Sequence, residues 1–195
     1  EASKSPEEKL WIAKTLECVD AILPEVEHTH YLGPDLPVER EMRVDLGGVT
    51  AFVRHIGTGN TPGDLIVWVE EDRLVATGDM LVAPVPYAIG SNLEPWEKTL
   101  EGLRAMAPAV IVPGHGPVMR DDAYLSDVQA LLATTRRQLV ALQARGVAKA
   151  EAEQRLDTRA FRERYATTAL RRQAFEQFFV KPAINQIWPK ASAKP

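Results

Sequence analysis

The spacing of apolar and polar positions changes along the chain, and each change marks an element. Ile12, Leu16, Val19 and Leu23 recur every three or four residues, which predicts a helix over residues 5–23 with one buried stripe. Ser5-Pro6-Glu7-Glu8 offers an N-cap, a first-position proline and a capping-box glutamate, and Pro24 is expected to end the run. A polar, proline-containing connector covers residues 25–40. From Glu41 the period falls to two: Met42, Val44 and Leu46 alternate with charged residues, Gly47-Gly48 turns, and residues 49–56 continue extended. That pattern is a β-hairpin.

A glycine-rich segment, residues 57–64, leads into an apolar strand over 65–69. A turn at 70–73 follows, then a strand over 74–77 that ends in Gly78-Asp79. Residues 80–93 read as a loop containing Pro84-Val85-Pro86-Tyr87, 96–106 as a helix, and 109–112 as a short buried strand that stops at Pro113-Gly114-His115-Gly116-Pro117. Beyond it the pattern is helical. Leu125, Val128, Leu131, Leu132, Leu139 and Leu142 carry a helix over 121–145, and shorter segments run to Trp188. Pro182 should kink or break the last of them, because it removes a helix donor. Residues 189–195 read as a frayed tail. Strands therefore dominate up to Val112 and helices after it. The fold class expected is α/β, with a mixed sheet carrying its helices on one face.

Composition narrows the choice of function. The 195 residues carry 23 Lys plus Arg against 27 Asp plus Glu, a net charge of −4. A mildly acidic chain is a poor general binder of nucleic acid, which needs clustered positive charge. No run of about 18 apolar residues exists, so no membrane span is expected. The single cysteine, Cys18, excludes an internal disulfide and a thiolate-only metal site. A soluble protein follows, with the choice between cytoplasm and periplasm open. Arg136-Arg137 and Arg171-Arg172 read as solvated helix faces, and Trp11, Trp68, Trp96 and Trp188 as core or half-buried residues.

Three strand ends carry ligand-type residues: Asn60, Asp79 and His115. Asp79 follows a glycine that lets the backbone turn and leaves the carboxylate accessible. His115 stands between glycines that present an imidazole without crowding it. Carboxylate and imidazole together suit zinc, manganese or iron. Taken singly, each has a bland reading as a turn or solvated residue. His55, at the end of the hairpin, reads chiefly as a packing residue that approaches the pocket.

The ordered set, Gly59-Asn60-Thr61-Pro62-Gly63-Asp64, then Thr77-Gly78-Asp79, then Val112-Pro113-Gly114-His115-Gly116, resembles the second half of a metallo-β-lactamase-fold metallo-hydrolase, whose motifs are GHTPGD, TGD and PGHG. The resemblance covers about Val44 to Val118. Asn in the first motif, together with the helical tail containing Phe161-Arg162-Glu163-Arg164 and residues 175–182, is similar to one subgroup of these hydrolases.

The resemblance implies the C-terminal half of an αββα sandwich over residues 1–120, led by the helix at 5–23, with a helical extension at 121–188 packed on it. Asp79 then corresponds to the carboxylate that bridges two metals, and His115 to the imidazole ligand of the second. Up to two zinc ions are implied, iron and manganese suiting the same donors. Asn60 stands where the family has a histidine ligand of the first metal. It is expected to weaken or rebuild that site, to hold water or substrate by hydrogen bonds, or simply to cap its turn. Tyr87, in the loop after Asp79, is the expected wall of a substrate pocket, with His55 beside it.

The family's other signature, HxHxDH, is missing. The only paired histidines, His28 and His30, lie in Glu27-His28-Thr29-His30 with no Asp-His at the required offset, and they read as connector residues. Two ligands do not make a catalytic zinc site, which has three plus an open position. A half-sandwich alone would also expose the inner face of its sheet. The expectation is an N-terminal half carrying HxHxDH, supplied as a separate or cleaved chain. The pair would hydrolyse an ester, thioester, lactone or amide carbonyl of a small-molecule substrate with a metal-activated water. The rival expectations are a binding or structural module of the same fold that has lost its metal, and an iron enzyme performing oxygen or redox chemistry.

Overall fold

The computed structural model describes residues 6–26, 28–30 and 32–188. The chain divides into two compact units, Glu1–Pro37 and Val38–Pro195. The first contains one helix, α1 (Pro6–Val26). It passes through Pro24 rather than ending there. Proline's missing N–H costs one bond in the last turn. The helix is closed three residues later, where the Glu25 carbonyl accepts from the His28 N–H at 3.1 Å and from the Thr29 hydroxyl at 2.8 Å. The expected buried stripe is not buried: Leu16, Val19 and Leu23 are 57, 47 and 53% exposed. A unit of one helix and a coil has nothing of its own to cover such a stripe. The Ser5 cap, the Glu8 and Trp11 side chains and the tail at 189–195 lie outside what the structure describes.

The second unit is a five-stranded sheet in the order β1-β2-β3-β4-β5, with helices behind it. β1 (Glu41–Asp45), β2 (Thr50–Arg54), β3 (Ile66–Val69) and β4 (Leu74–Val82) form an antiparallel meander. Gly47 and Gly48, at φ of +78° and +114°, make the first hairpin turn, a conformation that glycine adopts without strain. α2 (Leu93–Ala105) then crosses behind the sheet and returns the chain as β5 (Val110–His115), parallel to β4. β4 and the edge strand β5 both run longer than the sequence pattern predicts. β4 continues past Thr77 to Val82, and β5 past Val112 to His115, because the two keep pairing through register shifts around Gly78. Asp79 and His115 are therefore held on strands rather than on free loops.

The tail is helical throughout: α3 (Ala123–Ala144), α4 (Lys149–Arg155), α5 (Arg159–Tyr165), α6 (Ala169–Phe175), a π-helical turn (Glu176–Val180) and α7 (Lys181–Ile187). Pro182 stands at the start of α7, directly after the widened turn, so the expected break takes the form of a π turn. Sheet and tail share one core. Val75, Ile111, Trp96, Leu125, Phe175 and Phe179 are among its fully buried members. Arg136 is half-buried rather than fully solvated; it crosses from α3 to α2 and meets Glu97 at 3.1 Å.

Strand register decides which side chains share a face. Trp68, Val75 and Ile111 stand in line and are buried on the helix side. The opposite face carries two rows that each cross all five strands: Val44, Ala51, Val69, Leu74, Val110 and Met42, Val53, Val67, Ala76, Val112. Every member is apolar. Except for Ala51, each is half-buried or exposed, Val67 reaching 37%.

Candidate metal and substrate site

β4 and β5 bring Asp79 and His115 together. Val82 pairs with His115 in the ladder, and the Ala83 N–H donates to the His115 carbonyl at 3.0 Å. Gly114 permits the approach. A Cβ there would lie 2.2 Å from Asp79 Oδ1 and 2.6 Å from the Gly78 carbonyl carbon, inside van der Waals contact. With that position empty, Asp79 Oδ1 and His115 Nε2 stand 3.4 Å apart, their side chains 39% and 57% exposed. The gap exceeds a good N–H···O distance. It matches the span of about 3.3 Å between two ligands of one tetrahedral zinc ion with bonds of about 2.0–2.1 Å.

Two side-chain donors from the helices hold this end of β4. The Trp96 indole N–H donates to the Met80 carbonyl at 3.0 Å, and the Tyr124 hydroxyl to the Val82 carbonyl at 2.6 Å. Both bonds are buried, and both serve carbonyls in the stretch where the β4–β5 register shifts. Burial pushes the Tyr124 phenol far above its ordinary range, so it remains a donor at any ordinary pH.

The segment 57–64 is organised by a residue that its sequence did not single out. Asp64 accepts from the Asn60 N–H at 2.6 Å, the Thr61 N–H at 3.2 Å and the Thr61 hydroxyl at 2.5 Å. Asp64 thus caps the turn, and the Asn60 side chain is not needed for it. The Asn60 Oδ1 is buried and has no hydrogen-bond partner. A buried carbonyl oxygen without a donor costs free energy, so this atom is an acceptor awaiting one. His55 turns onto the same segment, its Nε2 donating to the Pro62 carbonyl at 3.0 Å. That bond ties it to the turn.

Tyr87 stands beside His115, with ring centroids 5.7 Å apart, and its other side meets Phe178 edge-on at 5.0 Å. His28 and His30 are exposed in the coil after α1. Among the described residues no group of three His, Cys, Asp or Glu side chains is arranged to hold a metal ion. Asp79 and His115 fit two ligand positions of one ion by donor type and separation, one fewer than the three protein ligands of a catalytic zinc site. The roles of Trp96 and Tyr124 escaped the sequence reading because a core aromatic looks the same whether or not its polar tip serves a strand carbonyl.

Residues 19–115 match the family model of the metallo-β-lactamase superfamily, a stretch that ends on His115. Over that stretch the chain carries a domain of this superfamily. A metallo-β-lactamase type 2 of Bacteroides fragilis is 28% identical over 81 residues, covering 38% of this chain and 32% of the relative. A metallo-β-lactamase from Pontibacter korlensis aligns over 58% of this chain and 54% of its own, at 24% identity and a TM-score of 0.46. The stereoselective inverting sec-alkylsulfatase Pisa1 from Pseudomonas sp. aligns over 65% of this chain and 22% of its own, at 15% identity and a TM-score of 0.55. The chain thus spans about a third of the curated relative's length and about half of the first structural relative's. No helix among the described residues is long and apolar enough to cross a membrane.

Proposed function

We propose that this chain is the C-terminal, ligand-bearing half of a metal-dependent hydrolase, completed by an N-terminal half that carries HxHxDH. The observation that carries the reading is the Asp79–His115 pair, two ligand-type groups set at ion-sharing distance by a glycine whose Cβ would collide with the Gly78 and Asp79 backbone. A zinc ion held there would supply a water activated near neutral pH for attack on an ester, thioester, lactone or amide carbonyl. Asp79 and His115 would hold the ion. The unpartnered Asn60 Oδ1 accepts an N–H or O–H, which suits orientation of a substrate or of water better than ligation of zinc. Tyr87 walls the pocket on the His115 side.

The two apolar rows on the open sheet face support the second half of the proposal. Soluble proteins rarely leave a contiguous apolar face of this extent uncovered, and a second sheet is the natural cover for a flat one. The test is to mix this chain with a polypeptide carrying the HxHxDH half and to weigh the product by native mass spectrometry. A one-to-one complex is expected. Two components that never associate, with this chain remaining monodisperse at 21.6 kDa, would overturn the two-half reading.

A further inference from the structure

Pro182 has no N–H, so the carbonyl four residues before it, that of Phe178, has no α-helical donor. The chain widens into the π turn at this point, and the Phe178 carbonyl accepts instead from the Ala88 N–H at 2.7 Å. Ala88 lies in the loop between β4 and α2, next to Tyr87. Its own carbonyl accepts from Gln186 Nε2 at 3.3 Å, and the other end of the same amide, Gln186 Oε1, accepts from the Leu93 N–H at 3.0 Å. One residue of α7 therefore ties the middle of the loop to the start of α2, while the π turn holds that same middle through the Ala88 N–H. The same turn lays the Phe178 ring edge-on to Tyr87, whose other neighbour is His115.

We propose that Phe178 and Gln186 are positioning residues of the candidate site, through which the C-terminal helices fix Tyr87 against His115. This rests on the hydrolase reading for its purpose and on the contacts above for its substance. Gln186 suits the task because a primary amide donates and accepts at once; a glutamate keeps the acceptor for Leu93 and loses the donor for Ala88. The tail is then part of the pocket, and the aromatic wall beside His115 has two rings, Tyr87 and Phe178, each from a different part of the chain.

The experiment is amide exchange together with the His115 ring-proton chemical shifts at fixed pH, by NMR of the full chain, for Gln186→Ala, Gln186→Glu and Phe178→Leu. Gln186→Ala leaves the Leu93 N–H without its acceptor and is expected to speed exchange there several-fold, about what losing one net hydrogen bond gives, while the Ala88 N–H keeps its Phe178 acceptor. Val75 and Ile111 should exchange at the unmodified rate. Gln186→Glu keeps the acceptor and is expected to restore protection at Leu93. The His115 ring signals should move in Gln186→Ala and Phe178→Leu, since the ring current of Tyr87 changes with its placement. General loosening would raise exchange at Val75 and Ile111 as well, and would show a merely structural role. Unchanged exchange at Leu93 in Gln186→Ala, or His115 signals that stay fixed in all three variants, would equally overturn the proposal. No metal or substrate enters the measurement, so a chain that binds no metal sinks the hydrolase reading and leaves this result standing.

Discussion

Asp79 Oδ1 faces His115 Nε2 across 3.4 Å, and the two strands that carry them approach so closely only because residue 114 has no side chain. The site is thus encoded in packing as much as in its ligands. Gly114→Ala should force β4 and β5 apart, with a cost of about 1–3 kcal/mol, the range for overpacking a close contact. Asp79→Ala and His115→Ala remove exposed groups and should change stability by about 0.5 kcal/mol or less. Urea unfolding of the three variants checks this. A Gly114→Ala protein as stable as His115→Ala would show that the strands have room to spare.

The Tyr124 hydroxyl is the donor for the buried Val82 carbonyl. Tyr124→Phe keeps the ring and strands that carbonyl, so it should cost about 1–3 kcal/mol, the penalty for an unsatisfied buried group. Denaturant midpoints at constant slope measure it. A near-neutral substitution would mean that the end of β4 is held without its helix-side donor.

The open sheet face separates folding from assembly. Val67, 37% exposed at the centre of its row, should accept a glutamate with a change in stability of about 0.5 kcal/mol or less. Val67→Glu should nevertheless abolish pairing with the HxHxDH half, because a charge would be buried without a partner. If Val67→Glu assembles as well as the unmodified chain, this face is not the interface.

Burial raises the Glu176 carboxyl above its ordinary value of 4.5, outweighing the lowering by Arg162, which it meets at 2.9 Å. A folded-state pKa above the unfolded one means that the native state holds the proton more tightly. The contribution is full below the unfolded value and is lost as pH rises through the folded one. Glu176→Gln should therefore lose less stability than the unmodified chain between pH 4 and 7, read as Tm across that window. A variant that falls behind the unmodified chain as pH rises would show the Arg162 pairing to dominate instead.

Much of this fold was legible in the sequence because its signals are local. The alternation around Gly47-Gly48 marks the β1–β2 hairpin, the leucines of α3 repeat at helical spacing, and the three glycine-rich motifs stand in order at strand ends. Asp79 and His115 were legible as ligand types, and their meeting required the register shift around Gly78 and the bare backbone of Gly114. The end of α1 was misplaced because a proline in the last turn costs only one bond, which the cap at His28 and Thr29 follows. The reach of the tail to Tyr87 had no sequence signal. Phe178 and Gln186 touch a loop about ninety residues away, and nothing in either segment names its partner.

The metal content of the assembled two-half protein bears most directly on the central claim, that Asp79 and His115 are ligands of a site which this chain shares with another half. Elemental analysis of the purified complex should find zinc, iron or manganese bound stoichiometrically. In complexes made with Asp79→Ala or His115→Ala that metal should be lost, while the assembly persists. Full metal in the His115→Ala complex would contradict the assignment outright.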